Sequence, residues 1–262
     1  MSSPLPDPYD ALMDHLAALA VAAVQQPGSA LHAYWLLLAS AQPEGPAPLA
    51  AQVRHTPVPD WARPSMLQAL QQVCAQGLWC EPGDGRQLQC SASIDAITAS
   101  LSRRSWPWPA AWRPYLDDIA ETTGRIWQAA CQLYQPVHQT HPGLPMEVRR
   151  GAVLFDAGLY FACHEYFETL WGRTADAASD WYQGLIQVAV AMRHLESHNV
   201  RGAILLLRAG LGRLQRYPPL YKALPLAAWR QRLTHLLADL ENLSAPTAYQ
   251  FEQRQVPSLL TP

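Results

Sequence analysis

The sequence contains no apolar run long enough to cross a bilayer, which takes roughly 18 to 20 residues. Even its alanine- and leucine-rich opening is interrupted by Asp14, His15 and Gln25-Gln26-Pro27. The first residues, MSSPLPDPYD, are acidic and have neither the basic beginning nor the apolar centre of a signal peptide, so a cytoplasmic location without membrane association is expected. Cysteine is scarce: Cys74, Cys80, Cys90, Cys131 and Cys163 are an odd five, and no two form a C-x-x-C pair. That spacing argues against thioredoxin-like redox chemistry or a cysteine-based structural zinc, and for free buried thiols. No G-x-S-x-G, P-loop or Rossmann glycine pattern occurs. Basic charge is short as well. Lys+Arg number 19 against 21 Asp+Glu, and residues 1–140 hold 7 against 11, whereas 141–262 hold 12 against 10. Neither half has the cationic excess that phosphate contacts require, so a nucleic acid is not an expected partner.

What is present is a chain of 262 residues, 49% of them hydrophobic, enough to bury one large core or two ordinary ones. Tyr9–Gln25 carries Leu12, Leu16, Leu19, Val21 and Val24 at close to helical period, and Ser29–Ser40 reads as a second helix. Prolines 43, 46, 48, 57, 59 and 64 then impose a long non-helical connection. Beyond a helix at 65–76, Leu78-Trp79-Cys80 and Gln87-Leu88-Gln89-Cys90 flank Pro82-Gly83-Asp84-Gly85, a hairpin signal near 78–90. Helices, a two-stranded wing and a further helix at 93–103 follow the order of a winged-helix module. The MLQALQQVCAQ helix of that module has no Lys or Arg to meet phosphate, however. Trp106-Pro107-Trp108-Pro109 leads into a helix from about Pro114 to Tyr134.

From Leu144 onward the pattern becomes regular: helices at 146–171, 180–196, 199–216 and 226–243 joined by short turns, which means antiparallel neighbours. The expected fold is therefore all-α, with a mostly helical N-terminal domain over 1–140 carrying the hairpin and an antiparallel helical bundle over 144–250.

Within that bundle, YFACHEYFETLW places polar groups in an aromatic helix. At 100° per residue, Tyr160, His164, Glu168 and Trp171 share a face, while Glu165 falls on another and Cys163 on the apolar side. An imidazole and a carboxylate at i and i+4 can touch or share a divalent metal. HEYFE is not the zincin H-E-x-x-H, because Glu168 stands where the second histidine belongs. The next helix is nearly all apolar, yet Gln183, Gln187 and His194 form one polar stripe that must find partners. With helices ending near Trp171 and restarting near Asp180, Glu168 faces Gln183 and His164 faces Gln187, while His194 lies nearer Asp156 and Tyr160.

FDAGLYFACHEYFETLW, followed by WYQGLIQVAVAMRHLESHNVRGA, resembles a family known as domain of unknown function 309 over roughly Leu144–Leu243. The corresponding positions are Phe155, Gly158, Tyr160, Phe161, His164, Glu165, Glu168 and Trp171, then 183–187, Ala189, Ala191 and His194, then Asn199, Gly202 and Ala203. Asp156 departs from the family's Asn, and His198 from its Gly. The resemblance implies an all-α bundle and supplies no reaction.

Two readings of these residues follow. In one, His164 and Glu168 bind a divalent metal, Glu165 or His194 does acid–base work, and Tyr160, Trp171, Trp181, Gln183, Gln187 and Asn199 shape a small-molecule pocket for hydrolysis. Asn199 also has the type and position of a helix N-cap. In the other, the protein is an interaction or scaffold module, or a small-molecule sensor, and the same polar groups fix helix register in the core. Under either reading the partner is a small molecule or a protein, and a homo-oligomer is compatible with the sequence.

Overall fold

The computed structural model describes residues 7–40, 110–134, 143–174, 178–243 and 249–260. Eight α-helices run through them: α1 (Pro8–Gln25), α2 (Pro27–Ser40), α3 (Leu116–Tyr134), α4 (Met146–Asp156), α5 (Tyr160–Trp171), α6 (Ala178–Glu196), α7 (Val200–Leu214) and α8 (Leu226–Glu241). Among the described residues there is no strand, only one isolated bridge between Tyr221 and Leu224. The hairpin expected near 78–90, with its winged-helix order, lies outside the described residues. No described helix is long and apolar enough to cross a membrane.

The chain divides into two compact units, Met1–Gln135 and Pro136–Pro262. In the first, α1, α2 and α3 pack against one another. Helix α1 starts where Asp7 accepts from the Tyr9 amide at 2.8 Å with Pro8 in its first turn, an arrangement that answers an otherwise orphaned donor. Its stripe of Leu12, Leu16, Ala20 and Val24 is buried, as are Leu37 of α2 and Ile119 and Ile126 of α3. Tyr34 and Trp127 stack at 4.8 Å between ring centroids. Burial pushes the Cys131 thiol up to about 12.

In the second unit, α5, α6 and α7 pack in succession, with α4 against α5 and α8 against α7. The single helix expected over 146–171 is in fact two. Gly158 adopts φ 74 and its amide bonds the Phe155 carbonyl at 2.9 Å, while the Leu159 amide reaches back to the Leu154 carbonyl at 2.9 Å. This is the Schellman arrangement, which ends a helix at a left-handed residue that glycine fills without Cβ strain. The α6–α7 turn repeats it: His198 has φ 57, its amide bonds the Leu195 carbonyl at 3.0 Å, and the Asn199 amide bonds the His194 carbonyl at 2.8 Å. Here a histidine holds the left-handed position.

Helices α6 and α7 approach closely at Gly184 and Gly210. A Cβ on Gly184 would meet Leu214 at 2.9 Å, and one on Gly210 would meet the Gly184 carbonyl at 3.0 Å. Between α7 and α8, Lys222 and Ala223 both take positive φ, 48 and 60, in a tight turn closed by paired bonds between Tyr221 and Leu224. The turn brings the Lys222 ammonium to 5.1 Å from the ring centroids of both Trp181 and Tyr182.

Candidate functional site

Helix α5 buries Tyr160, Ala162, Cys163, Tyr166 and Phe167 and turns its opposite side outward. Cys163 is fully buried. Its thiol donates to the Gly151 carbonyl at 3.4 Å, and burial pushes it well above the usual thiol range, so it packs rather than reacts.

On the outward side, His164, Glu165 and Glu168 each offer a ligand atom, all within 4.8 Å of one another. His164 Nε2 lies 3.0 Å from Glu165 Oε1; the imidazole is 14% exposed and the carboxylate 50%. Glu165 thus joins the other two, although the helical wheel sets it on a different face. Its side chain is long enough to swing back across the 100° between neighbouring positions and reach the imidazole. Phe161 stands edge-on against the His164 ring at 4.8 Å. His164 Nδ1 is buried and has no hydrogen-bond partner among the described residues.

The other expected members make contacts of their own. Gln187 is engaged with α7. Its Oε1 accepts from Arg213 Nε of α7 at 3.1 Å, and Arg213 also pairs with Asp180, whose second oxygen takes Arg216 at 2.8 Å. His194 Nδ1 lies 3.0 Å from Asn199 Nδ2, while Asn199 Oδ1 accepts from the Gly202 amide at 3.0 Å. His194 therefore steadies the N-cap of α7 and is not in the α5 cluster. Trp181 is fully buried, edge-on to Tyr182 and Tyr221. Tyr160 is buried against Phe155 and Phe251. Trp171 is 38% exposed and donates its indole proton to Ser179 at 2.7 Å across the α5–α6 connection. Gln183 is half-buried on α6.

Asp156, expected near His194, is committed to the end of the described chain. It accepts from the Ser258 hydroxyl at 2.7 Å and from the amides of Leu259 at 2.6 Å and Leu260 at 3.1 Å. Burial raises its carboxyl above the usual range, and those three donors and the nearby Arg232 charge oppose the rise. Sequence reasoning missed both this role and the Asp180–Arg213 pair. Each depends on residues brought together from helices or segments 33 or more positions apart.

The second unit is thus an all-α bundle bearing a one-sided histidine–carboxylate cluster on α5. Residues 148–206, in the C-terminal half, match the family described as Domain of unknown function (DUF309). The match takes in the α5 cluster, the α6 stripe and the start of α7, and stops short of Arg213, α8 and the segment that holds Asp156. No curated protein and no solved structure matches the chain.

Proposed function

We propose that His164, Glu165 and Glu168 bind one divalent cation on the outward side of α5 and that the reaction this serves is hydrolytic. The observation that carries the reading is the convergence of one imidazole and two carboxylates within 4.8 Å. Nitrogen and oxygen donors of this kind suit zinc, manganese or iron rather than a thiolate-seeking metal. A divalent ion held by His164, Glu165 and Glu168 would supply Lewis-acid chemistry, activating a water as a nucleophile near neutral pH. With Glu165 in the ligand set, acid–base work falls to a carboxylate oxygen that is not bound to the ion, since His194 is engaged at the α7 cap.

The test is calorimetric titration of the full chain, prepared without a histidine tag, with zinc and with manganese. One equivalent bound by wild type and lost in both His164→Ala and Glu168→Ala supports the site. Absent binding, or binding that both variants keep, removes the metal and the hydrolase together.

The polar stripe of α6 favours the scaffold reading instead. Gln187 bonds Arg213, and Arg213 bonds Asp180, so these groups tie α6 to α7 and fix their register.

A further inference from the structure

Residues 257–260 are answered group by group. Trp229 Nε1 donates to the Pro257 carbonyl at 3.0 Å, and Arg232 Nη2 donates to the Ser258 carbonyl at 2.9 Å. On the other side the Asp156 carboxylate takes the Ser258 hydroxyl and the Leu259 and Leu260 amides. The leucine side chains are 1% and 6% exposed. Just upstream, Phe251 stands edge-on to Tyr160 at 6.3 Å, and Gln253 Nε2 donates to the Asp156 carbonyl at 3.3 Å.

A helix or a hairpin answers its backbone from within itself. This segment is extended or bent, belongs to no helix or sheet, and has its consecutive carbonyls and amides met by side chains of α4 and α8. Linear-peptide sites work in this way: main-chain bonds supply affinity, and pockets for particular side chains supply the sequence preference. The groove has both parts. Asp156 is also an expensive residue to bury unless its oxygens are answered, and the Ser258 hydroxyl and the Leu259 and Leu260 amides of this one segment answer both of them.

We propose that Asp156, Trp229 and Arg232 form a recognition site for an extended peptide in which a small hydroxyl residue precedes two leucines. Its occupant in the folded chain is the chain's own Pro257–Leu260, acting as an intramolecular ligand. The site shares no residue with the α5 cluster and does not depend on a metal there. A tethered ligand competes at an effective concentration of about millimolar, so an outside peptide enters only when the resident segment is displaced.

The test measures fluorescence anisotropy of a labelled peptide, QVPSLLTP, with the full chain and with two full-length variants that disable the resident segment. Leu259→Asp removes a buried leucine, and Ser258→Glu sets a second carboxylate against Asp156. Both variants are expected to bind the peptide at least tenfold more tightly than wild type. A control peptide with both leucines replaced by aspartate is expected not to bind. Equal binding by wild type and both variants, or equal binding of the control peptide, overturns the proposal. So does loss of cooperative unfolding in both variants, since the segment would then be an inseparable part of the core.

Discussion

His164 Nε2 and Glu165 Oε1 lie 3.0 Å apart although the two residues are neighbours in sequence and point 100° apart on an ideal helix. The carboxylate therefore belongs to the same site as Glu168. Glu165→Gln keeps the shape and removes the charge. It is expected to weaken zinc or manganese binding about tenfold or more, while the stability of the metal-free chain moves by no more than about 0.5 kcal/mol because the side chain is half exposed. Paired calorimetric titration and urea unfolding check both parts.

Asp156 gives the second unit a pH dependence of definite sign. Burial holds its carboxyl above the ordinary value of 3.8, so the folded chain keeps that proton to higher pH than the unfolded chain does. The stability contributed by the protonated group is fully present below 3.8 and is lost as pH rises through the raised value. Asp156→Asn cannot ionise and lacks this loss. The melting temperature of wild type minus that of the variant should therefore fall as pH is raised from about 3 to about 7. A difference that stays constant across that range contradicts the assignment.

His198 occupies a left-handed position, φ 57, where the family pattern has glycine. A Cβ there costs roughly 1 to 2 kcal/mol, part of which glycine gives back through the greater freedom of its unfolded chain. His198→Gly is expected to stabilise the protein by about 0.5 to 1 kcal/mol in urea unfolding. No gain would mean that the turn is not left-handed at this residue.

Gly151 of α4 lies beneath the Phe167 ring of α5, and a Cβ at 151 would intrude on that ring. Gly151→Ala is expected to cost about 1 to 3 kcal/mol by overpacking, with no change in metal affinity beyond the loss of folded protein. Thermal unfolding measures the cost, and an unchanged melting temperature would show that Phe167 moves aside freely.

The helices of the second unit were legible because their apolar residues recur at helical period and their turns are short. The break after Asp156 was not, since 146–171 keeps its period across Gly158 and only the left-handed backbone there ends α4. His164 and Glu168 could be placed together from spacing alone. Glu165 could not, because its position is set by side-chain reach rather than by the wheel. The partners of Gln187 and Asp156 depend on Arg213 and on Ser258 to Leu260, contacts across 26 and more than 100 positions that no local pattern encodes. The N-cap role of Asn199 follows from its type and place, while its contact with His194 across the α6–α7 turn depends on the fold.

The most direct measurement of the central claim is X-ray absorption at the zinc edge of the zinc-loaded full chain. The account predicts a first shell of nitrogen and oxygen at roughly 2.0 to 2.2 Å, with the outer-shell scattering of a single imidazole, and loss of that imidazole signal in His164→Ala. A sulfur shell near about 2.3 Å, or a spectrum unchanged in His164→Ala, would contradict it.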